Sequence, residues 1–170
     1  MTDGCGQARS DAAERLVGAL ELAYAHVNRR ERTVAEVRAH LARKGVPAAT
    51  AEAVLRELLD THLLDDERFA AMFVADKREL EQWGAERIRR GLAARGIDPE
   101  LAARALAAGP GEDETEPVSE LDRALELLRR RFPQPPRDRR ERERALGVLL
   151  RKGYESELAI DALAVHARGD

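Results

Sequence analysis

One ten-residue pattern occurs three times in this chain: an apolar residue, three positions, Leu, two positions, Lys or Arg, Gly and an apolar residue. It reads VRAHLARKGV at Val37–Val46, IRRGLAARGI at Ile88–Ile97 and ALGVLLRKGY at Ala145–Tyr154, with its glycines 51 and 57 residues apart. Leu55, Leu106 and Leu163 each lie ten residues past their glycine, and an apolar segment of helical period precedes each copy. Repetition at this length predicts a supersecondary unit used three times, each copy too small to bury its apolar face without a neighbour.

The middle copy poses a choice, because four arginines and two glycines fall within Arg87–Ile97. A phosphate-binding loop needs Lys and then Ser or Thr after its second glycine, and Ile97 and Asp98 stand there instead. A helix ending fits better. Glycine just past a helix takes a left-handed backbone without a Cβ clash, and the following apolar residue packs on the one four before the glycine. The rule pairs Val46 with Leu41, Ile97 with Leu92 and Tyr154 with Leu149. Lys44, Arg95 and Lys152 then sit beside negative helix ends, worth roughly 0.3–1 kcal/mol each.

Nine helices follow, three per repeat. In the first repeat, residues 11–62, Leu16, Leu20, Ala23, Tyr24 and Val27 mark one helix, Thr33–Glu36 is a capping box opening the next, and Pro47 introduces a third with Ala51, Val54, Leu55, Leu58 and Leu59. In the second, residues 63–108, Asp65 or Asp66 caps a helix with inner face Phe69, Met72, Phe73, Leu80 and Trp83, broken at Gly84. Asp98-Pro99 opens that repeat's last helix. The third, residues 118–168, places Leu121, Ala124, Leu125, Leu128 and Phe132 on one face, then a helix from about Asp138 to Lys152 and a last one through Leu158 and Leu163. Residues 1–10 read as a disordered tail and the acidic stretch 109–117 as a flexible linker. The fold class is therefore all-α: three tandem three-helix repeats forming an elongated, curved array.

Composition narrows the function. Charged residues make up 36% and aromatics 4%, so thin Ala/Leu/Arg/Glu helices are expected, and no apolar run approaches the length of a bilayer span. The net charge of −3 is uneven: residues 120–152 carry 11 basic and 6 acidic side chains, whereas residues 1–119 carry 17 and 22. A local basic surface meets an acidic partner without coating the chain in nucleic acid. Cys5 is the single cysteine, and His26, His40, His62 and His166 show no ligand spacing, so neither a metal nor any other cofactor is expected. No nucleophile elbow, catalytic cysteine or acid dyad stands out, which argues against an enzyme.

The stretch LLDDERFAAMFVADKRELEQWGAERIRRGLAARGID, Leu63–Asp98, resembles the core of the RecX family, and ERTVAEVRAHLARKGV, Glu31–Val46, resembles the segment preceding it. Ala85 occupies a place where proline is common in relatives, and Gly91 one where a better helix former is usual. A cytoplasmic, cofactor-free monomer is expected, and the resemblance implies an all-α, non-enzymatic regulator that binds the groove of the RecA filament on DNA. There it limits ATP hydrolysis and strand exchange, placing the chain in DNA repair, homologous recombination and the SOS response. An autonomous helical nucleic-acid-binding protein is the alternative; the negative net charge and the lack of an aromatic platform weigh against it.

Candidate partner contacts, to RecA or to DNA through the filament or directly, are the arginines. Helical projection places Arg87 and Arg89 on opposite flanks of Ile88 and Arg90 behind it, while Arg95 ends the same helix. Arg137, Arg140, Arg144 and Arg151 project within about 60° of one another as a stripe. Trp83 is the one large amphipathic anchor candidate, against which stands core packing on Phe73 or Leu80. Each set fits either a solvated helical face with local Glu partners or a binding surface.

Overall fold

The computed structural model describes residues 4–108 and 118–169. Among these, the secondary structure is helical with no strand: α1 (Gly4–Val27), α2 (Val34–Arg43), α3 (Ala48–Asp60), α4 (Asp66–Glu79), α5 (Ala85–Ala93), α6 (Pro99–Ala107), α7 (Glu120–Arg131), α8 (Arg139–Lys152) and α9 (Ser156–Arg168). The expected linker, 109–117, lies outside the described residues. Of the expected tail, residues 1–3 also lie outside the described residues, and α1 is helical from Gly4.

All three repeat glycines adopt the left-handed backbone, with φ of +75° at Gly45, +77° at Gly96 and +90° at Gly153. Val46 N–H donates to the Leu41 carbonyl at 3.1 Å and Gly45 N–H to Ala42 at 3.0 Å; Tyr154 and Gly153 repeat this with Leu149 and Leu150 at 3.1 and 3.0 Å. These are the paired bonds of a Schellman ending. The same ending closes α3 without a glycine, because His62 takes φ +55° while Leu63 N–H reaches Leu58 and His62 N–H reaches Leu59.

The described residues form two compact units. The first holds α1–α3, the start of α4 up to Phe69, and Arg95–Ile97. Its core is Ala19, Ala23, Val37, Leu41, Ala51, Val54, Leu55, Leu58 and Leu64. Thr33 is fully buried and serves twice: Oγ1 accepts from Glu36 N–H at 3.1 Å, closing the capping box, and donates to the Arg95 carbonyl at 2.7 Å. The paired aspartates of the family-like stretch divide their work. Asp65 Oδ1 caps α4 by accepting Arg68 N–H at 2.9 Å, and Asp66 Oδ1 accepts Val34 N–H, one of the free donors of α2, at 3.0 Å.

The second unit holds Ala70–Ala94 and the residues from Asp98 onward. Its largest cluster joins Ala124, Leu125, Leu127 and Leu128 of α7, Ala145 and Leu149 of α8, Tyr154, and Ala159, Ala162 and Leu163 of α9. The inner face of α4 differs from the expected one. Met72 and Leu80 are exposed, Leu80 by 77%, and Ala70 and Val74 are buried in their place. The helix ends at Glu79, ahead of the expected break, and the turn runs through Gln82 at φ +53° before Gly84 opens α5 as its N-cap. Leu80 therefore lies off the helical face on which its spacing had placed it.

Both departures from the family pattern have local causes. A Cβ on Gly91 would stand 2.9 Å from Phe73 Cζ, so the glycine makes room for the Phe73 ring, which meets Trp83 edge to face at 6.4 Å. Ala85 donates its N–H to Glu120 Oε1 at 2.6 Å, a bond that proline forbids.

Candidate functional site

The second unit carries a cleft of about 470 Å³ between the α4–α5 turn and the C-terminal ends of α7 and α8. Arg87, Arg130, Arg131, Arg151 and Lys152 contribute five cations to its lining. Glu81 is the one acid there, and it is already paired with Lys77, whose ammonium holds the carboxyl below its ordinary value. Leu80, Leu127 and Val148 supply apolar surface. This excess of cations over acids, on a partly apolar floor, gives the cleft a positive local field.

Several contacts fix the cations. Arg87 Nη1 donates to the Arg151 carbonyl at 3.0 Å, satisfying a free acceptor at the α8 terminus, and its guanidinium carbon stands 4.1 Å from the Trp83 ring centroid. Arg130 Nη2 donates to Gln82 Oε1 at 2.9 Å, and Lys152 Nζ donates to the Glu81 carbonyl at 2.5 Å. Arg131 and Arg151 have no ion-pair partner among the described residues. Two helix C-termini, carrying partial negative charge, lower the cost of gathering these cations.

The arginines singled out from the sequence scatter. Of the α5 set, Arg87 alone lines the cleft; Arg89 pairs with Glu86 and lies 3.9 Å from Glu155, and Arg90 Nε reaches the Glu86 carbonyl at 3.3 Å. Arg95 works inside the first unit, 3.5 Å from Glu36 and 5.5 Å over the Phe69 ring. Of the expected α8 stripe, Arg140, Arg144 and Arg151 lie within the helix and Arg137 does not. Arg137 precedes the helix, with its N–H on Glu141 Oε2 at 2.9 Å, because Asp138 is the N-cap and the proline-rich turn sets a different direction. Arg137 and Arg144 line a second concavity of about 420 Å³ with Phe132 and the Pro133–Pro136 turn, Arg151 lines the main cleft, and Arg140 is exposed on α8. Arg131 lines both concavities.

Trp83 is half-buried beneath cations on both counts, with Lys77 Nζ 4.8 Å from its centroid and Arg87 at 4.1 Å. Its ring backs Arg87, which lines the cleft. Sequence reasoning passed over Arg130 and Arg131, although the signal was present in the Arg129–Arg131 run ending α7. It also treated His26 and His40 as unrelated, whereas their rings stack at 3.9 Å.

These features define an all-α helical-repeat protein with a basic cleft in its second unit. Sequence models of the RecX three-helix domains match in order: the first over residues 19–58, the second over 65–106 and the third over 119–163. The chain belongs to the RecX family of regulatory proteins. It is 38% identical over 130 residues to the Regulatory protein RecX of Leptothrix cholodnii, covering 74% of this chain and 77% of that one. It is 30% identical over 147 residues to the protein of the same name from Mycobacterium sp. (strain KMS), covering 83% and 77%. The crystal structure of RecX from Lactobacillus salivarius superposes with a TM-score of 0.75 over 93% of this chain and 99% of that one, at 19% identity, a likeness of fold.

Proposed function

We propose that this chain is a non-enzymatic regulator of the RecA recombinase, binding in the groove of the RecA–DNA filament and restraining ATP hydrolysis and strand exchange. Membership of a family whose curated relatives carry the name Regulatory protein RecX supports the partner, and the five-cation cleft supplies a surface for it. The cleft is the observation that carries the reading. A surface with this charge, in a chain of net charge −3, favours local contact with an acidic partner over general nucleic-acid coating.

The test titrates the protein into cognate RecA on single-stranded DNA while ATP hydrolysis and strand exchange are followed. Inhibition near stoichiometric levels is the expected result, and the absence of any effect on either activity rejects the reading.

A further inference from the structure

We propose that the cleft lined by Arg87, Arg130, Arg131, Arg151 and Lys152 binds an acidic peptide segment that carries an apolar side chain, rather than the phosphates of a nucleic acid. This deepens the reading above by naming the ligand, and rests on that reading only for which protein supplies the segment. Guanidiniums accept carboxylates and phosphates alike through paired N–H donors, so charge alone does not choose between them. The apolar surface does. Leu80 is 77% exposed at a turn among the cations and shares the cleft with the half-buried Val148, and covering such surface gains about 25 cal/mol per Å², most fully when the ligand brings apolar area of its own. A phosphodiester backbone brings only the C–H edges of its sugars, held apart by phosphates.

Bases offer apolar faces, but single-stranded nucleic acid is held on open aromatic platforms along a tracking groove. The one tryptophan of the chain stands outside the cleft with two cations over its ring, Arg87 at 4.1 Å and Lys77 at 4.8 Å, and no aromatic side chain lines the cleft itself. Its volume, about 470 Å³, falls in the roughly 300–1,000 Å³ range of small-ligand clefts and cavities, which for a peptide means a few residues. Gln82 adds geometric definition: its Oε1 holds Arg130 at 2.9 Å from a left-handed backbone, so one wall guanidinium is oriented before any ligand arrives.

The probe is a fluorescein-labelled hexapeptide, Glu-Asp-Glu-Leu-Asp-Glu, whose anisotropy is followed as the full-length protein is added at low salt. Three probes are compared: this peptide, its Leu-to-Ser analogue, and a labelled thymidine oligonucleotide of equal charge. The leucine peptide is expected to bind at least fivefold more tightly than either of the others. Arg130→Gln/Arg131→Gln should weaken it at least tenfold, whereas Arg43→Gln/Arg56→Gln, which removes equal charge from exposed positions elsewhere, should change it less than twofold. Circular dichroism of each variant verifies folding, and Leu80→Ser, a surface change, provides a second variant expected to lose the leucine preference alone. Oligonucleotide binding as tight as the peptide, or equal losses in the two arginine pairs, overturns the proposal. RecA ATP hydrolysis with the same variants separates the two readings: inhibition that persists without peptide binding removes the peptide ligand and leaves the filament regulator standing.

Discussion

The backbones of Gly84 and Gly153 pack directly against each other. Gly84 N–H donates to the Lys152 carbonyl at 2.8 Å, Glu86 N–H to the Gly153 carbonyl at 3.2 Å, and a Cβ on Gly84 would stand 2.5 Å from the Gly153 oxygen. The left-handed ending of α8 thus receives the first turn of α5, whose free N–H groups satisfy free carbonyls. In the first unit, Thr33 and Ala35 meet Arg95 and Gly96 in a similar way: the Arg95 carbonyl takes the Thr33 hydroxyl, and a Cβ on Gly96 would lie 2.3 Å from Ala35 Cβ. Gly45, the remaining copy, has nothing within 4 Å of its added Cβ. One sequence signature therefore carries two costs, separable by substitution. Gly45→Ala should lose only the left-handed backbone preference, about 1–2 kcal/mol. Gly153→Ala adds a Cβ 2.3 Å from Arg87 Cβ and should cost clearly more. Urea unfolding of both variants checks this; equal losses refute the close approach.

Ala85→Pro tests the departure from the family pattern. Proline at a first helical position is ordinarily harmless, because that N–H has no helical acceptor. Here the N–H is bonded to Glu120 Oε1 at 2.6 Å, and hydrogen bonds to charged groups are worth about 1.5–3 kcal/mol. The substitution should destabilise the protein by an amount in that range, and the penalty should shrink when Glu120→Ala is already present. Thermal unfolding of the double-mutant cycle measures the coupling.

His62→Gly should stabilise the first unit. His62 holds φ +55° at the end of α3, a conformation that glycine adopts freely, and its side chain is exposed. The gain expected is about 0.5–1 kcal/mol, after the greater flexibility of the unfolded glycine chain is allowed for. A fall in the urea midpoint contradicts it.

How much of this was legible beforehand divides along a physical line. The three glycines, the Thr33 capping box and the Asp98-Pro99 start are local: each is fixed by the conformational preference of a few consecutive residues, so spacing alone revealed them. The cleft is not local. Arg87, Arg130 and Arg151 come from three helices, and the chain pattern of one helix says nothing about what another places beside it. Projection also fails where the helix stops, which is why Arg137 left its stripe and Leu80 turned out to solvent. Gly91 and Ala85 looked like plain deviations from a family pattern because their causes, the Phe73 ring and the Glu120 carboxylate, lie on other elements.

Stability should fall in mild acid through the stacked His26 and His40. Burial is the first cause lowering both; His26 also feels Arg32, His40 and Arg43, and His40 feels Lys44, Arg43, Arg32 and Arg29, while Glu36 opposes the shift at His26. A lowered folded value means that the unfolded chain binds protons first, so the contribution is complete above the unfolded value near 6.5 and is lost as pH falls through the folded values. Urea unfolding at pH 7.5 and pH 5 should show this loss, and His26→Gln/His40→Gln should reduce the slope between the two. An unchanged slope in the double variant assigns the acid sensitivity elsewhere.

The two basic concavities make different predictions for filament regulation. Arg130, Arg131 and Arg151 line the main cleft with Leu80, whereas Arg137 and Arg144 face the Pro133–Pro136 turn, where Glu141 also lies and takes the Arg137 N–H. An acid already inside a basic surface lowers its field for an incoming anion, while Glu81 in the main cleft is occupied by Lys77. Arg130→Gln/Arg131→Gln/Arg151→Gln should therefore weaken inhibition of RecA ATP hydrolysis at least tenfold and flatten its dependence on salt. Arg137→Gln/Arg140→Gln/Arg144→Gln, with the same loss of charge, should weaken it by less than threefold. Dose–response curves at two salt concentrations decide between them. Equal effects would mean that net charge, and not the cleft, governs the contact; a larger effect from the second set would move the interface to the proline turn.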